Sequence, residues 1–188
     1  MELKTLNEIE IISAPHSKIS EVDFENLTFG NVFTDHMLVC DYANGAWQKP
    51  VIEPYAPFMI DPSAKVFHYG QAIFEGMKAY KDEQDDVWLF RPDENYHRFN
   101  KSATRMAMPE VPEDVFLGGL HCLLEIEKEW VKKGKGNTLY IRPFMIATGH
   151  GVIAAPSQEY RFMIILSPAR AYYSGEVKVL IAEHFSKA

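Results

Sequence analysis

Several features that define whole protein classes are scarce or absent in this sequence. It has 2 cysteines in 188 residues, and Cys40 and Cys122 are too far apart to form a metal or redox motif. We therefore expect two reduced thiols and no metal site. No apolar run approaches the roughly 18 residues of a membrane helix, and the acidic start lacks the apolar segment of a signal peptide. These absences predict a cytoplasmic protein with no membrane partner.

Positive charge is also in short supply. Lys and Arg number 19 against 26 Asp and Glu, which gives a formal net charge of −7. Binding to nucleic acid needs a basic surface that displaces counterions from phosphates. The one short basic stretch, residues 132–135, lies at a predicted helix end, where cations are favoured in any case. We therefore expect no nucleic-acid partner.

The hydrophobic pattern mixes strands and helices. Alternating or continuous apolar runs predict strands at residues 36–42, 47–52, 77–81, 87–91, 138–147, 160–166 and 177–182. Helical spacing predicts helices at residues 71–77, from Pro92 onward, and at 113–133, while Pro168 is expected to end a strand. Strands in pairs with helices between them predict an α+β fold, a mixed α/β sandwich.

Two polar side chains lie on one face of a predicted apolar strand. Tyr140 and Arg142 are two residues apart, so they share a face, while Leu139 and Ile141 point the other way. A guanidinium on the inner face of a strand needs a carboxylate partner or an anionic ligand. Spacing alone leaves open an internal salt bridge or a ligand site.

Two further residues are candidates. Tyr69 precedes a predicted short helix whose N-terminus would suit an anion, although a buried tyrosine that donates to a backbone carbonyl is the simpler interpretation. Arg98 lies off the apolar stripe of its helix. It is either a phosphate anchor or a solvated cation, and composition favours the second.

Four motifs, in this order and spacing, resemble the branched-chain amino acid aminotransferases over roughly residues 26–175. They are Phe29-Gly30-Asn31-Val32-Phe33-Thr34-Asp35-His36-Met37, His68-Tyr69-Gly70-Gln71-Ala72-Ile73-Phe74-Glu75-Gly76-Met77-Lys78-Ala79-Tyr80, Phe90-Arg91-Pro92 with Asn95-Tyr96-His97-Arg98-Phe99, and Leu139-Tyr140-Ile141-Arg142-Pro143. The resemblance implies a fold-type IV enzyme that uses pyridoxal 5'-phosphate to exchange amino groups between leucine, isoleucine or valine and 2-oxoglutarate. It also implies a homodimer whose chains each have a small N-terminal and a larger C-terminal domain.

The resemblance assigns polar roles to four residues. Arg98 matches the arginine that holds the cofactor phosphate. Arg142 matches the group that meets the side-chain carboxylate of glutamate, and Tyr69 and Tyr140 match hydrogen-bonding groups beside it. When leucine is bound, a tyrosine or a carbonyl is expected to cap Arg142, because an uncapped buried cation is costly.

It also assigns apolar roles. Phe29 and Phe74 match the wall that accepts a branched side chain. Ile153, in Gly151-Val152-Ile153, matches a loop that reaches the partner subunit's site. Residues 1–175 would form the small domain, and residues 176–188 a linker with the first strand of a truncated C-terminal domain.

No lysine here matches the family's Schiff-base lysine, which the resemblance places beyond Ala188. We therefore expect no catalytic residue within this chain, no transamination by the 188 residues alone, and no cofactor binding by them. Three alternatives remain: another fold-type IV enzyme, namely a D-amino acid aminotransferase or an aminodeoxychorismate lyase; a non-catalytic binding or dimerisation module; and a domain whose polar residues form only salt bridges.

Overall fold

The computed structural model describes residues 9–170 and 176–181. Its strands are β1 (Glu10–Ile11), β2 (His36–Ala43), β3 (Ala46–Trp47), β4 (Val51–Pro54), β5 (Ala72–Phe74), β6 (Met77–Lys81), β7 (Val87–Leu89), β8 (Thr138–Ala147) and β9 (Tyr160–Ala169). Its α-helices are α1 (Lys65–Tyr69), α2 (Pro92–Arg105) and α3 (Gly119–Ile126). A π-helical turn, Asp114–Gly118, leads into α3, and 3-10 turns form at Ile19–Glu21 and Lys128–Trp130.

The strands form one sheet in the order β1-β4-β2-β9-β8-β6-β7, with β3 added to β2 and β5 to β8. All pairs are antiparallel except β1 and β4. The two longest strands, β8 and β9, pair along their whole length, from Thr138 opposite Ala169 to Ala147 opposite Tyr160. The predicted α+β class, a mixed sheet with a few helices, is confirmed.

Helices cover one face of this sheet and form the main core with it. Phe99 of α2, Phe116 of the π-helical turn and Phe162 of β9 pack ring against ring, with centroids 5.4 to 5.5 Å apart. All three side chains are fully buried. The other face is covered less completely, by a small apolar cluster built on Met37, Val39 and Met163.

The strand β8 separates these two faces residue by residue. Leu139, Ile141 and Met145 are fully buried against the helices, whereas Tyr140 and Arg142 are half-buried on the opposite face. The period of two in the sequence therefore gave the correct orientation of the Tyr140–Arg142 pair.

The helix predicted at residues 71–77 is wrong. The helix comes earlier, at α1, and Gly70 ends it in the left-handed conformation with φ of 61°. Left-handed backbone suits glycine and stops a helix. The following residues form β5, which pairs with β8. A short apolar run has no period that separates strand from helix, and the long neighbouring strand decided the outcome.

The long helix predicted at residues 113–133 is shorter and irregular. It starts with a π-helical turn, and α3 ends at Ile126. Glu127, the polar exception in the predicted stripe, is buried, and its carboxylate accepts from the Nδ1 of His36 at 2.5 Å. This long-range bond fixes the chain where the helix ends.

Three strand boundaries also differ. The return strand predicted at 47–52 is divided into β3 and β4. Pro168 lies inside β9, opposite Leu139, so it does not end the strand. Residues 177–181 form no strand in the described part of the chain, and Ala182 lies outside it. Among the described residues, no helix is long and apolar enough to cross a membrane.

Candidate functional site

The site begins with Tyr140 and Arg142 on the half-open face of β8. The Tyr140 hydroxyl accepts hydrogen bonds from Arg142 Nε at 3.2 Å and from Nη2 at 2.7 Å. Within the described chain, no carboxylate pairs with Arg142, so the internal salt bridge considered above does not form. A neutral cap leaves the guanidinium with its full positive charge, which suits an anionic ligand.

Two phenylalanine rings flank this pair. The guanidinium carbon of Arg142 lies 4.4 Å from the centre of the Phe74 ring, a distance typical of a cation–π contact. The ring of Phe29 meets that of Tyr140 edge to face, with centroids 5.0 Å apart. Phe74 is 65% exposed and Phe29 is 42% exposed. The structure thus brings four of the predicted site residues into one contact set, in which the Phe74 ring is largely exposed.

The residue after Glu75 is a glycine for a steric reason. A Cβ on Gly76 would overlap the Tyr140 hydroxyl and lie 3.2 Å from the Cζ of the same ring. Such a contact is tighter than packed side chains adopt, so any larger residue would displace the phenol that caps Arg142.

Arg98 is held by a residue that sequence analysis did not select. Its Nε donates to Glu75 Oε1 at 2.5 Å and its Nη2 donates to Oε2 at 2.6 Å. The Arg98 side chain is 65% exposed, whereas that of Glu75 is only 6% exposed. Arg98 is therefore exposed, as the solvated-cation interpretation expected, but it is not free to move.

Glu75 is ionised in this arrangement. Burial alone would raise its pKa, but hydrogen bonds from Arg98 and Asn95 outweigh burial, so the pKa lies below its ordinary value. The Asn95 amide donates to the same carboxylate at 2.9 Å. The motif Asn95-Tyr96-His97-Arg98 thus places two donors one helical turn apart on a single buried carboxylate.

Tyr69 lies at a different position relative to the helix from the one predicted. It is the last residue of α1, not a residue before a helix N-terminus. Its hydroxyl donates to the backbone carbonyl of Val152, as the simpler interpretation expected, but the side chain is 44% exposed and is not part of the core. The buried Lys65, one helical turn earlier, donates to the carbonyls of Ile153 and Ala155 at 2.7 and 2.9 Å. We call residues 151–155 the α1-bound loop.

Ile153 lies at the exposed tip of the α1-bound loop. Its side chain is 75% exposed, and that of Val152 is 64% exposed. Hydrogen bonds join α1, which carries Tyr69, to the loop that carries Ile153. Within the described part of the chain, the hydrogen bonds and ring contacts of these two residues do not include Tyr140 or Arg142. The predicted site residues thus form three groups: one around β8 with Tyr140, Arg142, Phe74 and Phe29, one on α1 and its loop with Tyr69 and Ile153, and Arg98 on α2.

Three residues at the site escaped sequence analysis. Glu75 and Lys65 form bonds to partners 23 and at least 88 positions away, a relation that spacing does not reveal. Lys78 lies directly opposite Tyr140 in the strand register, so it shares the sheet face of the site. Indicating Lys78 from the sequence would have required a prediction that β6 pairs with β8, which the strand ranges alone do not give.

The residues fit the phosphate of pyridoxal phosphate, although the described chain offers no metal site. No group of three or more His, Cys, Asp or Glu in the described part could hold a metal. Glu75 accepts from Nε and Nη2 of Arg98, and no residue of the described ranges 9–170 and 176–181 accepts from its Nη1. A guanidinium fixed on one edge and open on the other is suited to a phosphate.

No family model matches the sequence. Curated proteins that are similar to this chain are branched-chain-amino-acid aminotransferases. Branched-chain-amino-acid transaminase 1 of Bacillus subtilis is 48% identical over 171 residues, which are 88% of this chain and 48% of that protein. Branched-chain-amino-acid aminotransferase 2 of the same species is 46% identical over 176 residues, 92% of this chain and 48% of its own length. The chain thus spans about half the length of these curated relatives.

Solved structures agree on the fold. A branched-chain aminotransferase from Thermoproteus uzoniensis, crystallised with norvaline, has a TM-score of 0.52 at 18% identity, over 71% of this chain and 41% of that one. The enzyme of Thermobaculum terrenum in its PLP form has a TM-score of 0.50 at 18% identity, over 73% and 40%. These likenesses concern the fold alone. The curated relatives confirm the resemblance found in the sequence: over most of its length, this chain is similar to the branched-chain amino acid aminotransferases.

Proposed function

We propose that this chain provides the substrate-recognising part of a pyridoxal-phosphate enzyme that exchanges amino groups between leucine, isoleucine or valine and 2-oxoglutarate. The single observation that supports this most strongly is Arg142, which keeps its charge under a neutral Tyr140 cap and lies on the exposed Phe74 ring. The names of the curated relatives point to the same activity.

This arrangement suits a pocket that must accept both an apolar and an acidic side chain. With leucine, the rings of Phe74 and Phe29 offer apolar contact, and the phenol of Tyr140 keeps the Arg142 donors satisfied. With glutamate, the substrate carboxylate takes the Arg142 donors in place of the phenol, and a bond between two opposite charges replaces a bond between a charge and a neutral hydroxyl. One arginine therefore serves both half-reactions.

Arg98 is the proposed anchor for the cofactor phosphate. Pyridoxal phosphate, when bound, supplies the electron sink that lets an amino acid lose its α-proton. The residues of this chain orient that group: Arg98 binds the phosphate through its free edge, and the aromatic side chains restrict water at the substrate end. A related protein has been solved in its PLP form, which supports the same cofactor here.

The remaining proposals follow from the family resemblance. Residues 1–175 form a small domain, and residues 176–188 lead into a second one. The natural protein is a homodimer in which Ile153 reaches the partner subunit's site. Because no lysine in the described chain matches the cofactor lysine, the 188 residues alone are expected neither to transaminate nor to form a specific lysine adduct after borohydride reduction with the cofactor.

The proposal is tested by the substitution Arg142→Ala in the natural gene product that contains this sequence. We expect kcat/KM to fall about 100-fold with glutamate, as when a charged hydrogen-bond partner is lost, and less than about fivefold with leucine. Arg105→Ala is the matched control, because Arg105 is an exposed arginine at the end of α2. Equal losses with both substrates would refute the assigned role of Arg142.

A further inference from the structure

The exposed side chain of Arg98 is joined to a buried carboxylate, which is an unusual combination. A long cationic side chain that is 65% exposed ordinarily samples several rotamers, and fixing it costs conformational entropy. Here both carboxylate oxygens of Glu75 accept from Arg98. A two-point bond to a buried group fixes both the position and the plane of the guanidinium.

Glu75 is itself fixed from several sides. Its backbone N–H donates to the carbonyl of Pro143 in β8 at 2.9 Å. Its carboxylate also accepts from the side chain of Asn95 at 2.9 Å and from the N–H of Gly76 at 3.3 Å. The carboxylate therefore has little freedom of its own, and it can define where Arg98 lies relative to the sheet.

The neighbours of Glu75 contact the other guanidinium site. Phe74 lies under Arg142, and Gly76 leaves the room that the Tyr140 hydroxyl occupies. Phe74, Glu75 and Gly76 are consecutive, so covalent bonds link the residue that contacts Arg142 to the residue that binds Arg98. We call these three residues the connector.

We propose that Glu75 is a positioning residue for the cofactor phosphate: it orients Arg98 and fixes the distance between the phosphate anchor and the Arg142 pocket. This inference rests on the proposed function of Arg98. Glu75 does not touch the phosphate, because a carboxylate there would repel it; it lies behind the guanidinium and leaves the Nη1 edge open.

Orientation and charge make opposite predictions for the same substitution. Glu75→Gln removes a negative charge near the phosphate, so a purely electrostatic effect would tighten cofactor binding. If orientation dominates, the loss of the two-point bond weakens binding, although the positive potential rises. The sign of the change therefore separates the two effects.

The experiment compares two probes that differ only in the phosphate group. In the natural gene product, the dissociation constants of pyridoxal 5'-phosphate and of pyridoxal are measured for wild type, Glu75→Gln and Arg98→Ala. We expect Glu75→Gln to weaken pyridoxal 5'-phosphate about tenfold, the order of one weakened charge-assisted bond, and to leave pyridoxal unchanged. The ³¹P resonance of the bound cofactor should shift as well.

Matched variants keep the result interpretable. Glu94→Gln makes the same chemical change at an exposed carboxylate that pairs with Arg91, in the first turn of α2, the helix that carries Arg98. It should leave both constants unchanged. In an Arg98→Ala background, Glu75→Gln should have no further effect on the phosphate probe. Should Glu75→Gln disturb folding, Asn95→Ala loosens the same carboxylate more gently and should weaken the phosphate probe in the same direction.

Each outcome has one meaning. Tighter or unchanged binding of pyridoxal 5'-phosphate in Glu75→Gln overturns the positioning role, and so does an equal loss with both probes. If Arg98→Ala itself leaves the phosphate probe unaffected, the proposed role of Arg98 fails, and this result is distinguishable from failure of the role of Glu75.

Discussion

Arg142 and Arg98, the two guanidinium groups of the proposed function, have different surroundings. Arg142 is half-buried between aromatic rings, and its partner is the neutral Tyr140 hydroxyl. Arg98 is mostly exposed, and its partner is the ionised Glu75. A neutral partner can be exchanged for an anionic ligand without leaving a charge unpaired, whereas a buried carboxylate cannot be released cheaply. The first arginine is suited to changing partners, and the second to staying in place.

The largest effect is expected from a substitution that displaces Tyr140, the partner that Arg142 can exchange for a substrate carboxylate. In Gly76→Ala, the new Cβ would force the Tyr140 ring from its position, because that ring lies 3.2 Å away at Cζ. We expect a loss of about 1 to 3 kcal/mol in the free energy of unfolding and reduced activity with both leucine and glutamate. Chemical denaturation and steady-state kinetics measure the two effects.

Gly45→Ala is not a suitable control for that change, because Gly45 has a φ of 78° and would add backbone strain. Ala46→Ser is preferable as a similarly small change, because Ala46 is exposed in strand β3 and the added hydroxyl stays in water. If Gly76→Ala left the activity with both substrates at the wild-type level, the close approach of Tyr140 would not matter for function.

A smaller effect, with inverted selectivity, is expected from Tyr140→Phe. This substitution keeps the ring that meets Phe29 but removes the acceptor of both Arg142 bonds. Arg142 is then uncapped when leucine is bound but still paired when glutamate is bound. We expect kcat/KM to fall about tenfold for leucine and less for glutamate, the opposite of Arg142→Ala.

Competition kinetics with both amino acids present measures this ratio directly. Tyr80→Phe serves as the control, because Tyr80 is an exposed tyrosine of the neighbouring strand β6. A larger loss with glutamate than with leucine would mean that Tyr140 binds the substrate carboxylate and does not cap Arg142.

The smallest effect concerns the ion pair between Arg98 and Glu75 and its pH-dependent contribution to the free energy of unfolding. Because the pKa of Glu75 lies below its ordinary value, the ionised carboxylate stabilises the folded state above its unfolded pKa, and this stabilisation is lost as pH falls through the folded pKa. Wild type should exceed Glu75→Gln by about 1 kcal/mol at pH 7. The difference should shrink on acidification, as measured by urea denaturation at a series of pH values.

The same titration on Glu94→Gln supplies a reference, since Glu94 is 57% exposed and paired on the surface. A difference between wild type and Glu75→Gln that stayed constant down to strongly acidic pH would show that the ionised pair contributes nothing to stability.

The sequence predicted best where a local period determined the structure. The bounds of β8 and the shared face of Tyr140 and Arg142 follow from alternation along one strand. The start of α2 follows from Pro92, with Asp93 and Glu94 in the first turn. The resemblance then selected Phe29, Phe74 and Arg98, which periodicity alone could not have chosen.

What sequence reasoning missed depends on long-range partners. Glu75 lies in a segment taken for a helix, and only the pairing of β5 with β8 makes it extended. The bond of Tyr69 to Val152 spans 83 positions, so no local pattern could assign that hydroxyl to a loop. In both cases, tertiary contacts overrode a short and ambiguous apolar run.

The α1-bound loop has a consequence for association. Its apolar tip, Val152 and Ile153, projects outward, while Lys65 and Tyr69 hold the carbonyls behind it. A surface that meets this tip meets a backbone that is already ordered, so the entropy that a flexible loop would lose on contact has been lost during folding. The hydrogen bonds from α1 to this loop thus lower the entropic cost of any contact that the loop makes with another surface.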